Sequence, residues 1–457
     1  MARVVVVGAG MSGLCLAWYL RRLKPEWDLV VLEAEDRVGG KAYTVEEEGY
    51  LVERGVNGVL DNKPATLALA SEIGVPALKS LDASRRRFIV KDADLKELPD
   101  SPKAFFKSDI LSATAKARLM AEPFIPRCTE PDESLASFAR RRLGREAYRY
   151  LIDPMASGIF AGDPERLSVR SAFPRVWELE QEFGSLIRAM FALKRRARRQ
   201  GGSGPASAGP GGVLTSFRRG MGELVQALSG ALGEHIRCSS PVEAIEPGRD
   251  GWRVAVEGGK VIEATHLVLA CPARQASRLL KEVAPEASEA AGAIPYPPIA
   301  VVAFGVRAAQ VKRDMNGFGF LCPHSEGRRI LGCLWDSSVF SHRAPEGRHL
   351  LRCLMGGARM PEMARLPDRQ LVDTALEELR GLVGLTGEPE YLHVFRWQEA
   401  IPQYNVGHWR LMEQVKRSLS GRARLYVRCN WIGGVALNDC VANSKALAEE
   451  MAGGRPE

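Results

Sequence analysis

Six residues near the start of the chain, Gly8-Ala9-Gly10-Met11-Ser12-Gly13, follow the β-branched run Arg3-Val4-Val5-Val6-Val7 and lead into a helix-like segment from Leu14 to Leu23. Strand, G-x-G-x-x-G, helix is the order a dinucleotide cradle needs. Gly8 permits the tight turn, Gly10 lets backbone approach a pyrophosphate, and Gly13 lets helix pack on strand, so that phosphates meet the free N–H groups of the helix N-terminus. Twenty residues beyond Gly13, Glu33 closes a second strand, Asp28 to Leu32, where a carboxylate can accept hydrogen bonds from an adenosine ribose. A surface glutamate at a strand end would look the same locally.

Two further stretches could meet a ligand. Glu53-Arg54-Gly55-Val56-Asn57-Gly58 is a glycine-bounded turn free to come close to a ring system, or a plain hairpin. "LYVRCNWIGGVALNDC" reads as a strand, a glycine turn and a helix from about Leu437, which would aim its N-terminus at an anionic or electron-rich group or simply join strand to helix. The nine cysteines are scattered, without a C-x-x-C pair or a histidine at ligand spacing, so a reduced protein without structural zinc is expected. His408, in "VGHW", reads as structural.

The elements that must hold these residues fit an ordinary globular chain. With 457 residues, 46% hydrophobic and 26% charged, two or three domains are expected. No charged residue falls between Val4 and Leu20, close to the roughly 20 apolar residues of a membrane span. An anchor has no use for the three glycines, and a secretion signal carries its basic residues upstream, whereas Arg21, Arg22 and Lys24 lie downstream. Neither a signal peptide nor a transmembrane helix is expected.

The formal charge of +8 permits attraction to nucleic acid or to an anionic membrane. From Ala104 to Arg199 helical periodicity dominates. Val176, Leu179, Phe183, Leu186, Ile187, Met190 and Phe191 form an apolar stripe that ends in Lys194, Arg195, Arg196, Arg198 and Arg199. That pattern suits either a helix lying at an anionic bilayer or an amphipathic core helix with a solvated end. Nucleic acid is not expected, because no stacking aromatics interleave the basic residues. Gln200 to Gly212 is a Gly/Ser/Pro/Ala loop, and "IAVVAFGV", "GFGFLCP", "RILGCLWDS" and "HLLRCLMGG" read as strands of a second sheet.

Gly39-Gly40, a fixed short interval after Glu33, resembles the FAD-binding signature of the flavin amine oxidase superfamily, and Leu267 to Ala270 resembles a strand of its nucleotide-binding sheet. "RRRFIVK", "SGIFAGDPERLSVRSAFP", "GFGFLCP", "IPQYNVGHW" and "GGVALNDC", in that order, resemble the protoporphyrinogen/coproporphyrinogen oxidase family within it.

The resemblance implies an α/β protein with a Rossmann-like FAD-binding domain assembled from residues 1–84, 213–272 and 405–457. A helical membrane-binding and substrate-lining insertion over 85–199, a flexible loop over 200–212 and a mixed-sheet substrate domain over 273–404 complete the chain. FAD is expected at Gly8, Ala9, Gly10, Met11, Ser12, Gly13, Glu33, Ala34, Gly39, Gly40, Lys41, Gly55, Val56, Asn57, Gly58, Val242, Asn430, Val435, Ala436 and Leu437. Lys41 stands where many relatives have arginine. Arg87 is implied as a propionate ligand, and Phe318, Leu321, Leu334 and Leu354 as the side chains that sandwich a tetrapyrrole. Gly158 is implied as the residue near the reacting carbon, and no acid or base is assigned.

The implied reaction is oxidation of protoporphyrinogen IX by dioxygen, with hydrogen peroxide released, in haem synthesis. Coproporphyrinogen III oxidation and a catalytically idle flavin and porphyrin carrier are the alternatives. A cytoplasmic protein peripheral on the membrane face is expected, with a ferrochelatase contact and a homodimer as further partners.

Overall fold

The computed structural model describes residues 2–199 and 212–453, and its elements gather around two sheets. Strand Arg3–Val7 forms because four consecutive valines suit a pleat buried on both faces, and all four are at most 7% exposed. It lies at the centre of a five-stranded parallel sheet, flanked by Asp28–Leu32 and His266–Leu269, with Ile236–Arg237 and Leu425–Val427 at the edges. Three distant parts of the chain therefore build one sheet.

Helices Met11–Leu23, Met221–Leu232 and Leu437–Gly453 share a core on one face through Leu14, Leu224, Leu228 and Val441. On the other, Val5 and Val7 pack with Trp252 of a three-stranded antiparallel sheet and with helix Ala273–Leu280. With both faces covered, the free edge for a ligand is the carboxyl end of the parallel strands.

The second sheet has seven strands, in the order Tyr391–Trp397, Ile299–Arg307, Arg348–Gly356, Gly332–Trp335, Gly319–Leu321, Phe88–Lys91 and Asp94–Glu97. The last two were not anticipated by a helical reading of residues 85–199. They form because Phe88, Ile89 and Val90 are consecutive, apolar and buried. Phe88, Phe320, Cys333, Cys353 and Val302 are matched strand to strand and bury one face against helix Asp368–Val383. The opposite face looks toward the first sheet.

The apolar stripe from Val176 to Phe191 is not one helix. Helix Pro174–Phe183 stops at Gly184, whose φ of +68° ends it in the left-handed region, and Leu186–Arg199 begins anew. The second helix is capped from a distance: Glu122 accepts hydrogen bonds from the backbone N–H groups of Leu186 at 2.9 Å and Ile187 at 3.2 Å. Glu122 and Glu180 in turn hold Arg142, and all three side chains are at most 1% exposed. The side chains of Lys194, Arg195 and Arg196 lie at the end of this helix. Those of Arg198 and Arg199, and the Gln200 to Gly212 loop as far as residue 211, lie outside the described residues. No helix among the described residues is long and apolar enough to cross a membrane.

Candidate functional site

A groove of about 310 Å³ runs along the carboxyl ends of strands Arg3–Val7 and Asp28–Leu32 toward the second sheet. Fourteen of the residues expected at FAD line it: Gly8, Gly10, Met11, Ser12, Glu33, Ala34, Gly39, Gly40, Lys41, Val56, Val242, Asn430, Val435 and Leu437. Its width at the cradle depends on Gly10, where a Cβ would meet nothing within 4 Å and would project into free space. Glu33 is oriented by accepting the N–H of Ala9 at 2.7 Å and that of Glu35 at 3.0 Å, which leaves each carboxylate oxygen a lone pair for a ribose hydroxyl.

Ala9, Gly13, Gly55, Asn57, Gly58 and Ala436 do not line the groove. Gly13 serves packing, since a Cβ there would fall 1.9 Å from the Gly8 carbonyl oxygen. Gly55 likewise presses on protein, because its Cβ would sit 2.1 Å from the Lys41 carbonyl oxygen. The glycine-bounded turn thus owes its first glycine to backbone contact. Asn57, beside the groove-lining Val56, has both amide atoms buried without a hydrogen-bond partner among the described residues. Open cradle and poised carboxylate together fit a dinucleotide flavin.

Charge points the same way. Burial pushes the Lys41 amine and the Arg87 and Arg428 guanidinium groups below their ordinary pKa values. Lys41 lies between the rings of Tyr296 and Trp397, at 5.7 and 5.9 Å. Arg428 donates to the carbonyls of Cys429 and Ile432. None of the three forms an ion pair among the described residues, and Lys41 is the one of them that lines the groove, where an anionic ligand would offset its burial.

Of the residues expected to hold a tetrapyrrole, Leu321, Leu334 and Leu354 share the face of the second sheet from which Trp397 reaches the groove, whereas none of them, nor Arg87, Gly158 or Phe318, lines the groove itself. One rung runs Phe395, Val301, Leu354, Gly332, Leu321, and the next runs His393, Ala303, Arg352, Leu334, Gly319. Arg87 precedes strand Phe88–Lys91 at the end of the second rung, its guanidinium 5.5 Å from the Phe318 ring centre. Its neighbours in the run are spoken for: Arg85 pairs with Asp82 and Arg86 with Glu97. Gly158 is helical, within Asp153–Phe160, and a Cβ there would fall 2.9 Å from Leu321 Cδ2. The missing side chain brings the helix against the wall.

Several residues at the site carried no local signal. Trp397 lines the groove and donates its indole N–H to the Arg54 carbonyl at 2.8 Å. Cys429 lines the groove, and burial pushes its thiol pKa up, an effect that the charges of Lys41 and Arg428 partly offset.

Behind the groove, the Tyr404 hydroxyl donates to the Asn430 carbonyl at 2.7 Å and accepts from the Gly434 N–H at 3.1 Å. His408 stacks on Tyr404 with ring centres 4.0 Å apart, and burial pushes its pKa down to about 4. The unfolded chain, with histidine near 6.5, takes up the proton first as pH falls, so this stability is complete above about pH 6.5 and is lost toward pH 4. Between pH 7 and pH 5 urea unfolding should register a loss of about 2 kcal/mol from this group. His408→Phe, which keeps the stack, should flatten that slope.

Comparison with known proteins places the chain among flavoproteins. Residues 11–452 match the family model described as flavin containing amine oxidoreductase. The chain is 34% identical to the chloroplastic protoporphyrinogen oxidase of Nicotiana tabacum, over 98% of this chain and 85% of the tobacco protein. It is 29% identical to the coproporphyrinogen III oxidase of Bacillus subtilis (strain 168), over 98% and 97%. A crystal structure from Exiguobacterium sp. 255-15, provisionally assigned as a protoporphyrinogen oxidase, superposes with a TM-score of 0.82 at 25% identity, covering 99% of this chain and 98% of that one.

Proposed function

Because the chain belongs to the flavin containing amine oxidoreductase family, and is thus an oxidoreductase whose cofactor is FAD, we propose that it oxidises protoporphyrinogen IX to protoporphyrin IX with dioxygen as electron acceptor and hydrogen peroxide as product. Its relatives include enzymes named for protoporphyrinogen and for coproporphyrinogen oxidation, so the substrate must be argued from the site. The carrying observation is Arg87. Among the described residues on the two leucine-bearing rungs and at their ends it is the one cation whose side chain has neither a hydrogen bond nor an ion pair, set at the end of a wall of leucines. One free guanidinium and an apolar wall suit a macrocycle with two propionates and apolar vinyl groups better than one with four propionates.

Bound FAD supplies a hydride acceptor. Arg87 grips a propionate and fixes the macrocycle's rotation, while Leu321, Leu334 and Leu354 hold its face and exclude water. Gly158, lacking a side chain, lets helix Asp153–Phe160 press against Leu321 and so sets the backbone beside which a saturated bridge carbon lies, and protons leave on the exposed side of that helix.

A paired aerobic assay with protoporphyrinogen IX and coproporphyrinogen III, followed by porphyrin fluorescence, tests the reading. Faster turnover of the first is expected. Preference for the second would make the enzyme a coproporphyrinogen oxidase, and silence with both in a flavin-loaded protein would favour a carrier.

A peripheral site on the cytoplasmic membrane face belongs to the same proposal. Phe106, Met120, Phe124, Met190 and Phe191 are exposed on the helical region, next to Lys194, Arg195 and Arg196. At about 1 kcal/mol per basic residue, replacing those three with glutamine should cut pelleting with anionic vesicles at least tenfold. Unchanged pelleting would remove this part of the proposal.

A further inference from the structure

Among the described residues, Arg352 is the one arginine or lysine within the two rungs that carry Leu321, Leu334 and Leu354. It is paired across the sheet with Leu334, and Leu354 stands two residues on along the same face. Its side chain is only 2% exposed. Nε donates to Asp336 Oδ2 at 2.6 Å and Nη2 to Oδ1 at 3.1 Å, a bidentate pair. Nη1 points away from the sheet, donating to the Glu53 carbonyl at 2.9 Å and reaching the Gly55 carbonyl at 3.5 Å.

Glu53 and Gly55 begin the turn that runs to Gly58, 299 residues from Arg352 in the chain at Glu53. That turn carries Val56, which lines the groove, and the orphan amide of Asn57. Trp397, at the end of another wall strand, takes the intervening Arg54 carbonyl. Three consecutive carbonyls of the flavin-facing turn are thus held by two side chains of the substrate sheet. A buried ion pair is a weak source of net stability, but its strict geometry specifies one arrangement. Hydride transfer is sensitive to such spacing, since a misplacement of about 1 Å can cost about a hundredfold in rate.

We propose that Arg352 is a positioning residue that, through Asp336 and the Glu53 and Gly55 carbonyls, sets the spacing between the porphyrinogen wall and the flavin-facing turn and so the rate at which substrate reduces the flavin. This rests on the flavin and porphyrinogen reading above. The experiment mixes FAD-loaded parent, Arg352→Gln and Arg352→Lys anaerobically with protoporphyrinogen IX and follows the loss of flavin absorbance.

For Arg352→Gln the reduction rate should fall at least tenfold, with apparent Kd within threefold of the parent and FAD content intact. Arg352→Lys, which keeps a cation beside Asp336, should recover part of the rate. A glutamine variant within twofold of the parent overturns the proposal. So does a parallel fall of rate, affinity and FAD content in both variants, the mark of a purely structural role. Should the glutamine variant not fold, the lysine variant decides: a threefold or larger loss of rate at unchanged affinity supports positioning, and an unchanged rate overturns it. A parent whose flavin porphyrinogen does not reduce removes the functional reading, and this proposal with it. The two failures are thereby distinguishable.

Discussion

Replacing Arg87 with alanine is expected to raise the KM for porphyrinogen by roughly 10- to 100-fold while FAD content and thermal stability stay unchanged. The guanidinium is half-buried at the end of the leucine wall, and burial alone lowers its pKa, with no carboxylate nearby to offset the cost. Among the described residues it meets the face of the Phe318 ring. Such a group gains most from an incoming carboxylate, which restores the lost hydration with charged hydrogen bonds worth about 1.5 to 3 kcal/mol. At about 1.4 kcal/mol per tenfold, that is the stated range. Stability should not follow, because removing Arg87 leaves no buried partner unpaired. Arg87→Lys should fall between, since an ammonium keeps the charge but cannot grip a carboxylate with two parallel N–H groups. Steady-state kinetics beside flavin absorbance separates the cases. If KM is unmoved, Arg87 does not touch the substrate; if flavin and stability drop with it, the residue is structural.

Arg142→Met is expected to produce the largest loss of stability, about 3 to 5 kcal/mol. Arg142 donates to Glu180 at 2.6 Å and to Glu122 at 3.1 Å, and to the carbonyls of Ile125 at 2.9 Å and Gly184 at 2.8 Å. Methionine fills much of the space, yet leaves two carboxylates in a region closed to water with one cation fewer. Arg141 also reaches Glu180, which softens the effect there, but Glu122 has no second cation among the described residues. Glu122 is also the cap of helix Leu186–Arg199, so its displacement should loosen that helix. The helical region should unfold at lower denaturant than the two sheets, seen as a separated early transition in far-UV circular dichroism. Arg196→Gln, which breaks an exposed pair with Glu182, supplies the contrast: its cost should stay below about 1 kcal/mol. Equal effects from the two substitutions would show that the buried cluster does not hold the region.

What the sequence by itself determined is local backbone chemistry. Val4 to Val7 could only be a buried strand, and the glycine cradle with Glu33 is recognisable because turn, strand end and helix start are adjacent in the chain and their geometry depends on neighbours a few residues away. The helix beginning at Leu437 was legible for the same reason. Tertiary structure decided what depends on register between distant strands. The run Arg85-Arg86-Arg87 offers three like charges, and which one is left without a carboxylate beside the leucine wall follows only from the pairing of Phe88 with Phe320 and from the carboxylates that claim the other two. The break at Gly184 was hidden because an apolar stripe continues in register across it. Arg352 and Trp397 had no signal in their own neighbourhoods, because their partners are carbonyls about 300 residues away and a backbone carbonyl carries no sequence mark. Side-chain type and spacing set the local elements, whereas the site's spacing is a property of how two sheets meet.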